Sequence, residues 1–177
     1  QLARADLLIE RTFRPARQSA VPLEGRGVVA EHDGETGVTT VYTSTQLPHL
    51  VRRGIADALG ADEASIRVIV PDVGGGFGLK ANLYAEEIAV AGLARRLGVP
   101  VRWIEDRTEN LQADSFARDY HIHGQLAATK EGKITAMKMG VVADHGAFDA
   151  AANPSKFPAG LFSVVTGSYD FQKAFTE

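Results

Sequence analysis

Hydrophobic and polar positions alternate through much of the chain, which is typical of half-buried β-strands. Strands are predicted at residues 5–14, 27–32, 38–45, 66–70, 99–104, 120–128 and 133–144. Turn-forming residues at 33–37 and 129–132 join two pairs of these strands into predicted hairpins. The first strand carries charges among its apolar residues and is predicted to lie at a sheet edge. The β-branched run at 66–70 is predicted to be a buried strand.

Three other segments are predicted to be helices, at residues 46–59, 81–97 and 106–114. Pro48 suits the first turn of the first helix, and Gly60 suits the position after its end. The second helix is apolar nearly all round, which predicts burial. Because strand pairs and helices do not alternate strictly, the predicted fold class is α+β. We expect a two-layer domain with a mixed β-sheet and about three helices.

A glycine-rich loop at residues 74–78 lies between a predicted strand and a predicted helix. Glycine has no Cβ, so this backbone can adopt positive φ and lie directly against a ligand. The order of strand, loop and helix aims N–H groups and a positive helix end at an anion. Lys80 is not followed by Ser or Thr, which excludes a Walker loop. The alternative is a turn that only lets the helix pack on the strand, but Phe77 within the loop favours a contact with something else.

The composition excludes several classes of protein. The chain has 177 residues, a net charge of −3 and no cysteine. A mild, mixed charge makes nucleic acid or an anionic membrane an unsuitable partner. Without cysteine, this chain has no disulfide, thiolate metal site or iron–sulfur cluster of its own, which is compatible with the cytoplasmic location that we expect. No apolar run is long enough to predict a membrane span.

Several polar residues are candidates for chemistry, each with a plainer alternative. Gln46 lies at a predicted strand-to-helix junction, where a side chain can project beyond the sheet. Arg118 has aspartates four residues before it and one after it as ordinary surface partners. His121 and His123 are two residues apart on a predicted strand, so both side chains would lie on one face. They are either a metal-binding pair or part of a solvated strand face. His145 is a candidate general base, but the sequence places no nucleophile beside it.

The order and spacing of these motifs resemble one known family. Ser-Thr-Gln at 44–46, the glycine loop with Phe77, the segment 101–110 and Arg118 follow one another as in the molybdenum-binding large subunits of the xanthine dehydrogenase and aldehyde oxidase family. Stretches at 115–121, 143–149 and 153–160 bring the chain nearest to the carbon monoxide dehydrogenase branch of that family. The likeness covers nearly the whole chain, from about residue 4 onward.

The resemblance implies roles for individual residues. In the family, the glutamine matching Gln46 donates a hydrogen bond to an oxo group on molybdenum, which an uncharged amide suits. In purine-oxidising members, an arginine matching Arg118 lies near the substrate pocket and can stabilise developing negative charge, so Gln46 and Arg118 are the implied catalytic residues. No protein residue is expected to ligate the metal directly. The backbone of the loop approaches the metal and its pterin, and the residues implied there are Gly75, Gly76, Phe77 and Gly78.

Two departures from the family pattern bear on the substrate. Purine-oxidising members have a glutamate at the position of Ala81, and Leu79 stands where they have glycine. Purine hydroxylation is therefore not expected. The resemblance instead implies oxidation of carbon monoxide, an aldehyde or a heterocycle, with water as the source of oxygen.

The resemblance also implies a larger assembly. In the family, the glutamate that acts as general base and the cysteine that binds copper in the carbon monoxide branch lie beyond the last residue of this chain. Residues 1–177 are therefore expected to be part of a molybdenum cofactor-binding domain within a longer parent. That parent would hold molybdenum as a molybdopterin cytosine dinucleotide, with copper as a further candidate, and would pass electrons to iron–sulfur and flavin partners.

Two alternatives stay open for the isolated chain. The first is a non-catalytic α+β module that binds no molybdenum on its own and associates with itself through exposed apolar surface. The second is a general anion-binding domain that uses the glycine loop. Molybdenum analysis of the isolated chain distinguishes a cofactor-binding chain from both.

Overall fold

The computed structural model describes residues 2–144, 164–170 and 173–177. The chain divides into two compact units, one made of residues 1–18 and 117–177 and the other of residues 19–116. The prediction about His145, the stretch 153–160 and most of the stretch 143–149 lie outside the described residues. Among the described helices, none has the length and apolar composition needed to cross a membrane.

The strands and helices of the described residues follow the predicted order closely. The helices are α1 (Pro48–Leu59), α2 (Ala85–Leu97) and α3 (Arg107–Ala113). The strands are β1 (Leu7–Phe13), β2 (Gln18–Ser19), β3 (Gly27–His32), β4 (Thr39–Thr43), β5 (Ile66–Ile69), β6 (Val101–Ile104), β7 (Phe116–Ala117), β8 (Tyr120–Ala128), β9 (Ile134–Ala143) and β10 (Ala174–Thr176). The two-residue strands β2 and β7 lie where the chain passes between the units.

The unit of residues 19–116 has two layers, a sheet and a pair of helices. Its strands lie in the order β5-β4-β3-β6, with β4 parallel to β5 and the other neighbours antiparallel. The helices α1 and α2 bury their apolar residues against one face of this sheet. The fully or nearly fully buried residues of this core are Val28, Ala30, Val41, Val51, Ile55, Ala56, Ile66, Val90, Ala91 and Ala94.

The ends of α1 and α3 form as the sequence predicts. Pro48 lies in the first turn of α1, and Gly60 ends the helix in the left-handed conformation with φ +59°. At the start of α3, the carboxylate of Asp106 accepts the Glu109 N–H, and the carboxylate of Glu109 accepts the Asp106 N–H. This reciprocal pair is a capping box, and it satisfies two donors that a helix start leaves free.

Three predictions in this unit are wrong in part. The helix predicted from residue 81 begins only at Ala85, because residues 79–81 form a separate 3₁₀ turn. Helix α2 is also buried on one face only, and Leu93 and Leu97 are exposed. Strand β5 lies at a sheet edge rather than in the interior, and only Ile66 of this strand is buried.

The unit of residues 1–18 and 117–177 contains a second mixed sheet, in the order β1-β8-β9-β10. The hairpin of β8 and β9 is confirmed, and β1 pairs with β8 at the sheet edge, as predicted. Strand β10 runs parallel to β9, although the sequence predicted only a loop-rich tail there. The α+β class with mixed sheets and three helices is therefore confirmed.

We predict that Ile55→Ala lowers the free energy of unfolding by about 2–5 kcal/mol, since Ile55 is fully buried between α1 and the sheet. Ile104→Ala is the matched control, because Ile104 is 64% exposed on β6. Denaturant unfolding of both variants measures the difference. Equal losses of stability in the two variants would contradict this description of the core.

Candidate functional site

Gln46 lies between the end of β4 and the start of α1, as the sequence predicted. Its main-chain N–H donates to the carbonyl of Lys80 at 2.8 Å, and the Thr45 hydroxyl donates to the same carbonyl at 3.1 Å. The Thr45 hydroxyl also accepts the Leu47 N–H at 3.2 Å. These bonds fix the backbone of the junction to the turn that follows the glycine loop.

The side chain of Gln46 packs against the glycine loop. A Cβ at Gly76 would lie 2.5 Å from the Gln46 Oε1 atom and 2.7 Å from its Cδ, so any larger residue there would displace the Gln46 side chain. The Gln46 Oε1 atom accepts the Gly78 N–H at 2.9 Å. Gly78 has φ +89°, a conformation that favours glycine. The structure therefore brings together the predicted residues Gln46, Gly76 and Gly78.

Phe77 carries the one side chain among residues 74–78, and this side chain is exposed. It has φ +51°, which is uncommon for an aromatic residue, and it is 76% exposed. Its ring lies over Gly75, where a Cβ would come within 2.9 Å of the ring. An exposed aromatic residue in an unfavourable conformation is a mark of a functional site rather than of core packing.

The loop and Gln46 present a group of uncharged hydrogen-bond donors. In the part of the chain that the structure describes, the N–H groups of Gly75, Gly76 and Phe77 have no acceptor. The Gly78 N–H holds the carbonyl end of the Gln46 amide, so the amide NH₂ is the end left to donate. Such an arrangement suits a ligand rich in acceptor atoms that must be approached closely by backbone.

Lys80 and the start of α2 do not contribute to anion binding, contrary to the expectation from the loop sequence. The Lys80 side chain is fully buried, and its amine pairs with Glu24 at 2.6 Å. Helix α2 begins seven residues after Gly78, and the Tyr84 N–H at its start is already bonded to Glu87 at 2.7 Å. Neither the lysine charge nor the helix end is therefore available at the loop.

Arg26 is a buried cation surrounded by carboxylates, and sequence analysis did not identify it. Its guanidinium lies 2.6 Å from Asp114, 2.9 Å from Glu105 and 3.1 Å from Glu86. Asn110 donates to both Glu105 and Asp114. Burial raises the pKa of Asp114 to about 6; the charge of Arg26 opposes that shift, whereas Glu105 adds to it.

A chain of contacts connects Arg26 to the turn that follows the glycine loop. The guanidinium lies 3.7 Å from the centre of the Tyr84 ring and 5.1 Å from that of Trp103. The Tyr84 hydroxyl donates to the Leu79 carbonyl at 2.8 Å and accepts the Ser115 N–H at 3.3 Å. The buried network therefore holds the turn that follows the glycine loop and contributes no ligand-binding group of its own.

Arg118 lies in the other unit, and its side chain is exposed. Arg118 and Asp119 have φ +71° and +64°, two consecutive left-handed residues that are not glycine. Asp119 is held by Arg17 at 3.1 Å, and its carbonyl accepts the Asp144 N–H at 3.0 Å. Among the described residues Arg118 has no ion-pair partner, so the plainer alternative of a surface pair with a neighbouring aspartate is not observed there.

The two histidines on β8 belong to a solvated strand face. His123 Nε2 lies 3.2 Å from Glu10 Oε1, and its Nδ1 lies 3.3 Å from the Thr12 hydroxyl. His121 is exposed. Within the ranges described, no group of three histidine or carboxylate side chains could hold a metal ion, so the candidate metal pair is not supported.

Comparison with known proteins identifies the family of this chain. Residues 1–177 match the molybdopterin cofactor-binding domain family. The carbon monoxide dehydrogenase large chain of Hydrogenophaga pseudoflava is 45% identical over 97% of this chain and 21% of its own length. The nicotine 6-hydroxylase large subunit of Paenarthrobacter nicotinovorans is 34% identical over 97% of this chain and 22% of its own. A solved structure of reconstituted CO dehydrogenase from Oligotropha carboxidovorans, 47% identical, superposes with a TM-score of 0.84 over 98% of this chain and 22% of that one.

The chain therefore belongs to the molybdopterin cofactor-binding domain family. Its sequence and fold are similar to a segment of carbon monoxide dehydrogenase large chains, and the chain spans about a fifth of the length of the relatives it matches. The resemblance drawn from the sequence motifs is confirmed. A molybdenum cofactor in the parent follows from it.

We predict that Gly76→Ala displaces the Gln46 side chain, because the added methyl group would overlap its amide. The side-chain NH₂ resonances of Gln46 should shift in an NMR spectrum of the variant. Gly34→Ala is the control, since nothing lies within 4 Å of a Cβ at Gly34. Unshifted Gln46 resonances in Gly76→Ala would contradict the close approach.

We predict a pH-dependent loss of stability from Asp114. Its pKa is raised from 3.8 in the unfolded chain to about 6 in the folded one, so the folded state binds more protons between these values. The resulting stabilisation is complete below about pH 4 and is lost as the pH rises to about 6. Asp114→Asn removes this titration. The urea midpoint of the wild type minus that of Asp114→Asn should therefore decrease as the pH rises from about 4 to about 6. Parallel pH profiles of the two proteins would contradict the assignment.

Proposed function

We propose that this chain forms one side of the molybdenum cofactor site in a molybdenum-dependent oxidoreductase, with residues 1–177 as part of the cofactor-binding domain. The observation that carries the proposal is the orientation of the Gln46 amide. Its carbonyl end is held by Gly78, which leaves its NH₂ on the side of a loop where the N–H groups of Gly75, Gly76 and Phe77 also lack acceptors among the described residues. The catalytic and cofactor-binding roles named below are part of this proposal.

The residues present fit such a cofactor. A pterin with its metal and oxygen ligands is rich in acceptor atoms, and uncharged donors bind acceptors without competing for the metal. The absence of a Cβ at Gly75, Gly76 and Gly78 lets the backbone approach closely, where any larger residue would be obstructed or strained. Gln46 would donate to an oxygen of the bound cofactor, and the free loop N–H groups would hold its acceptor edge.

Phe77 would exclude water from the site. Its ring is exposed in the described chain, and burying it against a bound cofactor would recover the free energy of an exposed aromatic surface. A dry site also strengthens each hydrogen bond made by Gln46 and the loop. When bound, the cofactor would supply the two-electron oxidation, with the oxygen atom of the product taken from water.

Arg118 would stabilise negative charge on the substrate. The support for this role is an exposed guanidinium on a backbone held in an unfavourable conformation by Arg17, Asp119 and Asp144. An arginine with no carboxylate partner in the described residues keeps its full charge available for a ligand.

The substrate of the whole protein is proposed to be small, with carbon monoxide as the first candidate. The similarity to carbon monoxide dehydrogenase large chains supports this choice, and the similarity to nicotine 6-hydroxylase keeps a heterocycle or an aldehyde as the alternative. We further propose a cytosine dinucleotide form of the cofactor, iron–sulfur and flavin partners as electron acceptors, and a cytoplasmic location. This chain has no cysteine, so a copper-binding cysteine would come from outside it.

We predict that Gln46→Leu in the molybdenum-loaded parent lowers kcat by about 100-fold or more, as removal of one preorganised donor does elsewhere. Gln46→Glu keeps the acceptor for the Gly78 N–H but loses the donor, and it should lower kcat comparably. If Gln46 only packed the loop, Gln46→Glu would be close to the wild type.

The control for this test is Gln112→Leu, which makes the same change at an exposed position of α3. Its kcat should equal that of the wild type. Circular dichroism and molybdenum content should be unchanged in all three variants, which separates loss of chemistry from loss of fold. Unchanged turnover in Gln46→Leu would refute the proposed role.

A further inference from the structure

Lys80 has an unusual environment for a lysine. Its side chain has no exposed surface, and in the described residues its amine has one carboxylate partner, Glu24, at 2.6 Å. A buried ammonium group is expensive unless it is paired, so Glu24 offsets much of the cost of burying the Lys80 amine. Glu24 is only partly buried, with 40% of its side chain exposed, and it lies beside the glycine loop.

Glu24 holds the first residue of the loop from two sides. Its Oε2 atom accepts the Gly74 N–H at 2.8 Å, and its own N–H lies 3.4 Å from the Gly74 carbonyl. A Cβ at Gly74 would come within 2.7 Å of the Glu24 Cβ, so the two backbones are in close contact. The same oxygen that binds the Lys80 amine therefore fixes the entrance of the loop.

The other end of Lys80 fixes the exit of the loop. Its carbonyl accepts the Gln46 N–H and the Thr45 hydroxyl, and its N–H lies 3.4 Å from the Gly76 carbonyl. One residue therefore connects Gly74 through its side chain and Gln46 through its backbone. The loop between these two points carries the N–H groups that the proposed site uses.

We propose that Lys80 and Glu24 are positioning residues that hold the glycine loop in its donor-presenting shape before any ligand binds. The pair would thereby determine how well the parent retains its cofactor, without touching the cofactor. This consequence rests on the proposed function. Lys80 does not act as an anion ligand, because its amine is enclosed and committed to a carboxylate.

The electrostatics of the pair agree with this assignment. Partial burial acts to raise the pKa of Glu24, but the bonds from Lys80 and the Gly74 N–H outweigh it and lower the pKa. The carboxylate therefore stays ionised while it holds both groups. The plainer alternative is an ordinary ion pair that adds global stability and does not affect the loop in particular.

Hydrogen exchange of the whole chain without cofactor separates the two accounts. The variants are Glu24→Gln, Lys80→Met and the double variant, read by mass spectrometry on a peptide that covers residues 73–79. Each single variant should exchange about tenfold faster in that peptide, and the double variant should be no faster than the singles, since both changes break one linkage. Glu63→Gln is the matched control, because it removes an ion pair with Arg52 away from the loop. Its exchange at 73–79 should change less than about twofold.

Several outcomes would overturn the proposal. Unchanged exchange at 73–79, or equal acceleration in every peptide, would leave the pair as a stabilising contact only. If Lys80→Met does not fold, Glu24→Gln alone decides, because it keeps an acceptor for Gly74 and removes only the charge. A double variant that exchanges as the product of the two singles would show that the residues act separately.

Molybdenum content of the purified parent tests the consequence. Glu24→Gln should retain several-fold less molybdenum than the wild type and Glu63→Gln, while its kcat per bound molybdenum stays within about twofold. Full retention in a variant with faster loop exchange would overturn the link between the pair and the cofactor. A wild-type parent without molybdenum would refute the proposed function, whereas the exchange result on the loop would stand independently.

Discussion

The contact between the glycine loop and the side chain of Gln46 is the one on which the candidate site depends. Only a hydrogen atom at Gly76 leaves the Gln46 side chain in its present position, and the N–H of Gly78 determines which end of the Gln46 amide faces away from the loop. The loop could not pass this close if it carried side chains, and the amide would be free to rotate without the loop. The two parts therefore form a single surface of uncharged donors.

Charges lie behind this surface rather than on it. The pair of Lys80 and Glu24 holds the two ends of the loop, and Arg26 with its carboxylates lies beneath the turn that follows. Buried ion pairs seldom add much net stability, but breaking one is costly, so they are effective at keeping a backbone in one conformation. The exposed donors at the loop are therefore uncharged. Uncharged donors can bind the acceptor atoms of a metal cofactor without adding charge beside the metal.

The family relationship and the geometry support each other at different levels. The comparisons show that the chain belongs to the molybdopterin cofactor-binding domain family and spans about a fifth of the length of its relatives. The geometry explains why a glutamine and a glycine loop from distant parts of the chain occur together in that segment. Arg118, in the other unit, lies on backbone with an unfavourable positive φ, next to Asp119, which Arg17 and Asp144 hold in place. Its guanidinium has no carboxylate partner among the described residues.

The sequence by itself determined the elements with strong local signals. These were the two hairpins, the start and end of α1, the capping box of α3 and the motif order that identified the family, because turns, caps and periodicity depend on neighbouring residues. Prediction from the sequence failed where the local preference of a segment differs from the conformation that its tertiary contacts favour. The apolar segment before α2 begins as a 3₁₀ turn because residues 79–81 bond back to the loop, and β10 forms only because β9 offers an unpaired edge. The partners of Gln46, Lys80 and Arg26 were decided by tertiary structure alone, since residues 32 to 88 positions apart carry no local signal of contact.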